Sequence, residues 1–286
     1  MAVVKRRLPP EREKPRKKTA PVEAEDISLP TELTKRMTRF GDFSLWLYGE
    51  RKIGKTTLAS LFPDAFFLFT EPGGKDLELM SRPVTNWKTF TGYVKLLEKD
   101  TRFKTVIVDT VDLAFKMASE AAMRRLGIDH PSEEDWGKGW AAIEDTFNPW
   151  MQRLLSLNKG VILISHSETK TIKRRGGGDY DRIQPTLSKQ GRKFVDGAVD
   201  MWFYYAYDGK DRYLTIKGDD LINAGHRLQS DHFRINGHEL ERVSMGRTPA
   251  EGYKNLIDAF GNVYSPANTI PGEGGTKKLS LKKKAS

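Results

Sequence analysis

The chain has 286 residues, 38% of them hydrophobic, enough for a packed core of one large domain or two small ones. Zero cysteines exclude disulfides, thiolate metal sites and a cysteine nucleophile, and fit a reducing cytosol. No apolar run is long enough to span a membrane, and the basic start Met1 to Arg7 leads into Leu8-Pro9-Pro10 rather than an apolar signal core, so the expected location is cytoplasmic.

The formal charge of +10 sits at the ends. Residues 1–20 carry eight Lys/Arg against two Glu, residues 271–286 carry five Lys against Glu273, and residues 21–270 are neutral overall. Both ends are poor in apolar residues and rich in Pro, Gly or Lys, so residues 1–29 and 263–286 are expected to be disordered arms around one domain over 30–262. Two readings of the arms stay open: solvated spacers, or polybasic segments making non-specific phosphate contacts.

Within the domain, Ser44 to Tyr48 reads as a buried strand and Lys55 to Phe62 as a short helix stopped by Pro63. Between them, Gly49, Gly54, Lys55 and Thr56 fill every fixed position of GxxxxGK[ST], with Glu50, Arg51, Lys52 and Ile53 inside and Thr57 following. In such a phosphate-binding loop, glycines let backbone N–H groups close around phosphate oxygens and a helix N-terminus adds its positive end. Lys55 is therefore expected at the β/γ-phosphates and Thr56 on Mg²⁺, with a nucleoside triphosphate as ligand.

Ala65 to Phe69 is a second short strand, followed by the turn chemistry of Thr70-Glu71-Pro72-Gly73-Gly74. Asn86 to Lys99 is amphipathic, with Trp87, Phe90, Val94 and Leu97 on one helical face. Thr105 to Asp109 is a further buried strand, and its terminal Asp109 is the expected second Mg²⁺ carboxylate. Helical pattern runs over Val111 to Leu126 and again over Trp136 to Leu157. Trp136 and Trp140 share a face there and are expected to pack that helix against the sheet.

Gly160 to Ser165 is a third core strand. Val199 to Tyr207 and Arg212 to Lys217 form a late β-hairpin joined through Asp208-Gly209, and Pro249 to Phe260 is a closing helix. Strands alternating with helices imply an α/β fold with a mostly parallel sheet flanked by helices.

Asp109 is followed by Thr110-Val111-Asp112, so it opens no DxxG, and Asn158-Lys159 by Gly160-Val161, so it opens no NKxD; nothing points to guanine, and Thr110 stands where a catalytic Glu would follow Asp109. Glu71, at the end of a neighbouring strand, is the candidate general base. Tyr48 to Thr57, Thr70 to Gly74, Val106 to Thr110, Trp136 to Trp140 and Val161 to His166 together resemble phage-encoded RecA-core P-loop ATPases found beside single-strand-annealing recombination genes. The resemblance covers roughly residues 40 to 260 and implies a RecA-like P-loop NTPase core using ATP and Mg²⁺. It carries the roles above onto Lys55, Thr56, Asp109 and Glu71, makes His166 a γ-phosphate sensor, and places a DNA-binding loop after it. There Ser167 to Lys193 holds eight Lys/Arg against Glu168, Asp179 and Asp181, with Arg174-Arg175-Gly176-Gly177-Gly178 reading as a mobile loop. Lys170, Lys173, Arg174, Arg175 and Arg182 are the candidate phosphate contacts, and Tyr180 a stacking platform.

In rings or filaments of this class a basic residue from one subunit meets the neighbour's γ-phosphate. Arg227 and Lys217 are the candidates here, with Arg212 nearby. The expected partners are single-stranded DNA, further copies of the chain, and a single-strand-binding protein or annealase, with no membrane. The rival readings are a hexameric helicase-like or packaging motor, a nucleotide-gated adaptor that scarcely hydrolyses ATP, and a small-molecule kinase, the last disfavoured because no lid-like Arg cluster is apparent.

Overall fold

The computed structural model describes residues 29–265 except Arg175 and Ser230; the expected basic arms fall almost wholly outside these residues. Its architecture follows from strands that are apolar on both sides. In β1 (Ser44–Gly49) every residue is buried, as in β4 (Thr105–Asp109), and such strands are stable only between two helical layers.

The remaining elements fall into place along the chain. They are α1 (Lys55–Ala59), β2 (Ala65–Phe69), β3 (Met80–Pro83), α2 (Trp87–Leu97), α3 (Val111–Leu126), α4 (Lys138–Leu155), β5 (Gly160–Ile172), β6 (Tyr180–Pro185), α5 (Lys189–Ala198), β7 (Met201–Asp208) and β8 (Asp211–Thr215). The short strands β9 (Gly225–His226), β10 (Arg234–Ile235), β11 (His238–Glu239) and β12 (Arg242–Ser244) follow, and α6 (Pro249–Phe260) ends the fold.

The main sheet runs β12-β8-β7-β1-β5-β4-β2-β3. The strands from β7 to β3 are parallel, while β8 and β12 add antiparallel pairings at one edge. This is the RecA-like P-loop NTPase arrangement, with β5 inserted between the phosphate-loop strand β1 and the Asp109 strand β4.

Alternate side chains feed two cores. Trp46, Leu68, Val108 and Leu163 meet residues of α2, α3 and α4 such as Phe90, Phe115 and Phe147 on one face. Leu47, Phe67, Ile107 and Ile164 meet Leu58 of α1 and Leu256 and Phe260 of α6 on the other. The carboxyl ends of the parallel strands thus lie together, and the chain leaves β1 to one side and returns to its other side with β7. An α/β sheet opens its ligand crevice at such a switch point.

Three expectations need correction. The segment after His166 is not an open loop: β5 continues to Ile172 and pairs antiparallel with β6, from Ser167 opposite Pro185 to Ile172 opposite Tyr180. Its last basic stretch, from Lys189, belongs to α5, started by the Ser188 side chain accepting from the Gly191 N–H. Trp136 and Trp140 do not pack α4 on the sheet. The helix begins at Lys138, Trp136 is 97% exposed, and Trp140, 37% exposed, meets only the edge of His130 among described aromatic rings.

Candidate functional site

The phosphate-binding loop spans the gap between the end of β1 and the start of α1. Gly49 is required there because a Cβ would overlap the carbonyl oxygen of Tyr205 on neighbouring β7. Gly54, just before α1, has φ +107°, a conformation that favours glycine. Ile53 is buried beneath the loop, whereas Glu50, Arg51 and Lys52 face solvent. Thr57 lies in the first turn of α1.

Lys55 folds back over the loop, its Nζ donating to the carbonyl oxygens of Gly49 at 2.9 Å and Glu50 at 2.7 Å. Burial pushes its ammonium down to about 8, against the opposing pull of Asp109, Glu71 and Asp112. The Thr56 hydroxyl donates to Asp109 Oδ2 at 2.7 Å. Burial pushes the Asp109 carboxyl up, the Thr56 hydrogen bond opposes this, and the nearby Glu71 adds to it. A cation would relieve that cost. The hydroxyl and carboxylate oxygens are hard donors of the kind Mg²⁺ takes when phosphates and water complete its shell, so the residues present fit the ion.

Glu71 is held at the mouth by the turn after β2. The Thr70 N–H donates to the Asp109 carbonyl at 2.9 Å, and the Thr70 hydroxyl bridges the N–H and carbonyl of Thr110, both at 2.7 Å. From there Glu71 Oε1 faces His166 Nε2 at 3.4 Å. His166 stands beside Gly49 in the β1–β5 register, and its Nδ1 is buried without a hydrogen-bond partner among the described residues. The structure therefore brings together Lys55, Thr56, Glu71, Asp109 and His166.

Arg227 and Lys217 are not brought to this site within one chain. Strand β8 runs antiparallel to β7, from Asp211 opposite Asp208, beyond the end of β1, to Thr215 opposite Tyr204 and so level with Tyr48. Lys217, two residues past the end of β8, is held away from the loop by its ion pair with Glu239. Arg227 donates from Nε to the Val199 carbonyl at 2.9 Å and from Nη2 to the Gly197 carbonyl at 2.9 Å, closing the C-terminus of α5. Arg212 is the late basic residue that does reach the loop. Its guanidinium donates to the Arg247 carbonyl at 3.0 Å and approaches the Ile53 carbonyl at 3.5 Å. Sequence reading left Arg212 unranked; the antiparallel direction of the Asp208-Gly209 hairpin was the signal that favoured it.

The other candidates lie on the β5–β6 hairpin. Lys170 and Arg182 are directly opposite each other, a like-charge pair that is unfavourable in a sheet. Arg182 also donates to Asn223 Oδ1 at 3.3 Å. Arg174 stacks 4.5 Å over the Tyr180 ring and pairs with Asp220 at 2.8 Å. Lys173 is exposed at the turn, and Arg175 lies outside the described residues.

Residues 42–228 match a family model described as an AAA domain. The chain belongs to this AAA domain family. Its phosphate loop, Asp109 and the whole β5–β6 hairpin lie inside the matched AAA segment. Among solved structures, the chain is similar to the KaiC-like protein PH0186 from Pyrococcus horikoshii OT3, with 14% identity over 73% of this chain and 87% of that one and a TM-score of 0.41. It is also similar to the RadB recombinase, with 15% identity over 61% of this chain and 80% of that one and a TM-score of 0.37. Comparison with curated proteins found no match. No helix among the described residues of this AAA protein is long and apolar enough to cross a membrane.

Proposed function

We propose that this chain is an ATPase that grips single-stranded DNA through the β5–β6 hairpin and assists annealing or strand pairing in recombination. One observation carries the reading: β5 is a single strand from Val161 in the core, past His166 opposite Glu71, to the basic hairpin. The phosphate loop and Lys55 bind the triphosphate, and Thr56 and Asp109 hold Mg²⁺, which neutralises phosphate charge when bound. Glu71 orients and polarises the attacking water. His166, beside Glu71 and level with Gly49, senses the terminal phosphate.

On the hairpin, the Lys170–Arg182 pair favours a bound phosphate, since an anion relieves the repulsion that the fold leaves in place. Tyr180 is engaged by Arg174, and the pair forms a cationic aromatic surface on which a base can stack.

The test is the steady-state ATP hydrolysis rate with and without single-stranded DNA at fixed salt. DNA stimulation that disappears in Lys55→Ala supports the reading. In Glu71→Gln, retained ATP binding with turnover lowered by about 10²–10⁴-fold, the usual range for losing a general base, is expected. Unchanged turnover in that variant removes Glu71 from the role. A negligible wild-type rate under both conditions, with ATP still bound, favours a nucleotide-gated adaptor instead.

A further inference from the structure

Asp112 is a half-buried residue with one carboxylate oxygen shut off from solvent, and the ATPase reading leaves it unused. It sits in the first turn of α3, three residues beyond Asp109. Its Oδ1 accepts a 2.7 Å hydrogen bond from the Thr186 hydroxyl. Thr186 is the residue at which the basic hairpin rejoins the core, directly after Pro185 at the end of β6. The Thr186 N–H donates to the His166 carbonyl at 3.0 Å. One residue thus ties together the return strand of the hairpin, the backbone of His166 and the helix that starts behind the metal carboxylate.

This geometry is costly unless it is used. Burial pushes the Asp112 carboxyl up, against the pull of the Thr186 and Ser165 hydroxyls. Its Oδ2 is shielded from solvent without a hydrogen-bond partner among the described residues, so the carboxylate depends on the Thr186 hydroxyl, and hydrogen bonds weaken steeply with distance and angle. On one side, Asp112 is fixed to the α3 turn that begins beyond Asp109 and Thr110. On the other, the hairpin begins at the Ser167–Pro185 pair, next to Thr186.

We propose that Asp112 and Thr186 form a latch that transmits the state of the nucleotide site to the β5–β6 hairpin. Both are positioning residues: neither touches the phosphate loop, and they act by fixing the hairpin base relative to His166 and α3. The inference deepens the ATPase reading and rests on nucleotide binding at the phosphate loop, but not on DNA being the hairpin's ligand.

The experiment is amide hydrogen exchange of the full chain, read over residues 167–172 and 180–185, without nucleotide and with a non-hydrolysable ATP analogue and Mg²⁺. In the wild type, the analogue is expected to change hairpin exchange by about tenfold, the worth of one hydrogen bond to a carboxylate. Thr186→Val, nearly isosteric, should abolish that response while binding the analogue with unchanged affinity; Asp112→Ala should abolish it too, read at saturating analogue because Asp112 also pulls on Lys55. Thr186→Ser, which keeps the hydroxyl, should restore it. A melting curve confirms that each variant is folded, and Thr186→Ser against Thr186→Val remains decisive if Asp112→Ala is not. A wild-type hairpin indifferent to the analogue overturns the latch, and so does a Thr186→Val protein that still responds. Retention of a single-stranded oligonucleotide is measured separately: a working latch on a chain that binds no DNA removes the DNA reading and leaves the latch standing.

Discussion

Lys55 shows how one residue exchanges stability for binding. Its ammonium is desolvated and held by two backbone carbonyls, so its proton is bound less tightly than in the unfolded chain, with a value of about 8 against 10.5. Between those values the unfolded chain binds more protons, so the stability of the nucleotide-free protein should rise with pH from about 8 to 10.5. Phosphate restores the proton. ATP affinity should therefore fall as pH rises through about 8, and ATP binding near pH 8.5 should take up protons, read calorimetrically in buffers of different ionisation enthalpy. An affinity flat from pH 7 to 9.5 would refute this. Lys55→Met should abolish nucleotide binding yet raise the nucleotide-free Tm at pH 7 by about 2–4 °C, because the cost of burying the charge exceeds the worth of its two hydrogen bonds.

At the scale of elements, the sequence was readable where burial is two-sided. The apolar runs Ala65–Phe69 and Thr105–Asp109 and the helices Val111–Leu126 and Pro249–Phe260 appear at the residues their patterns predict. Where burial stops, the pattern stops. The outer half of β5, Glu168-Thr169-Lys170-Thr171, is largely exposed and polar, so nothing but its pairing with β6 marks it as strand. Strand β3 is a four-residue edge ending in Pro83, too short for a period to show. Helix α5 hides its single buried apolar side chain, Val195, among basic residues. The same solvent-exposed geometry separates what the hairpin needs to fold from what it offers a ligand. Lys170→Glu would convert the cross-strand repulsion with Arg182 into an attraction of roughly 0.2–1 kcal/mol, stabilising the hairpin. It should nevertheless weaken single-stranded DNA binding and lower the salt slope by about 0.7, the share of a single phosphate neutralised by one lysine. Stabilisation with unchanged DNA affinity would show that this face of the hairpin is structural.

The whole molecule places the phosphate loop and the anchorage of its strands at opposite ends of one sheet. At the carboxyl ends of the parallel strands lie Lys55, Asp109, Glu71 and His166. At the other end, Ser44 donates from its N–H and hydroxyl to Asp200 Oδ2 at 2.9 and 2.7 Å. There Arg227 closes α5 with its guanidinium and donates from its backbone N–H to the Asp200 carbonyl at 2.9 Å. This clamp joins the starts of β1 and β7, the strands that carry Gly49 and Tyr205 to the loop. Arg227 thus has a complete structural role within a single chain, and a role across a subunit boundary would require it to release the carbonyls it holds. The two can be separated by measuring Arg227→Ala over a range of protein concentrations. As a clamp, Arg227 contributes about 1–3 kcal/mol through hydrogen bonds from a charged group, so its removal should lower Tm by several degrees. ATP turnover per chain should then match the wild type at every concentration below the melt. If instead the wild type gains activity as copies associate and Arg227→Ala does not, its guanidinium acts on a neighbour's nucleotide, and the clamp must open on assembly.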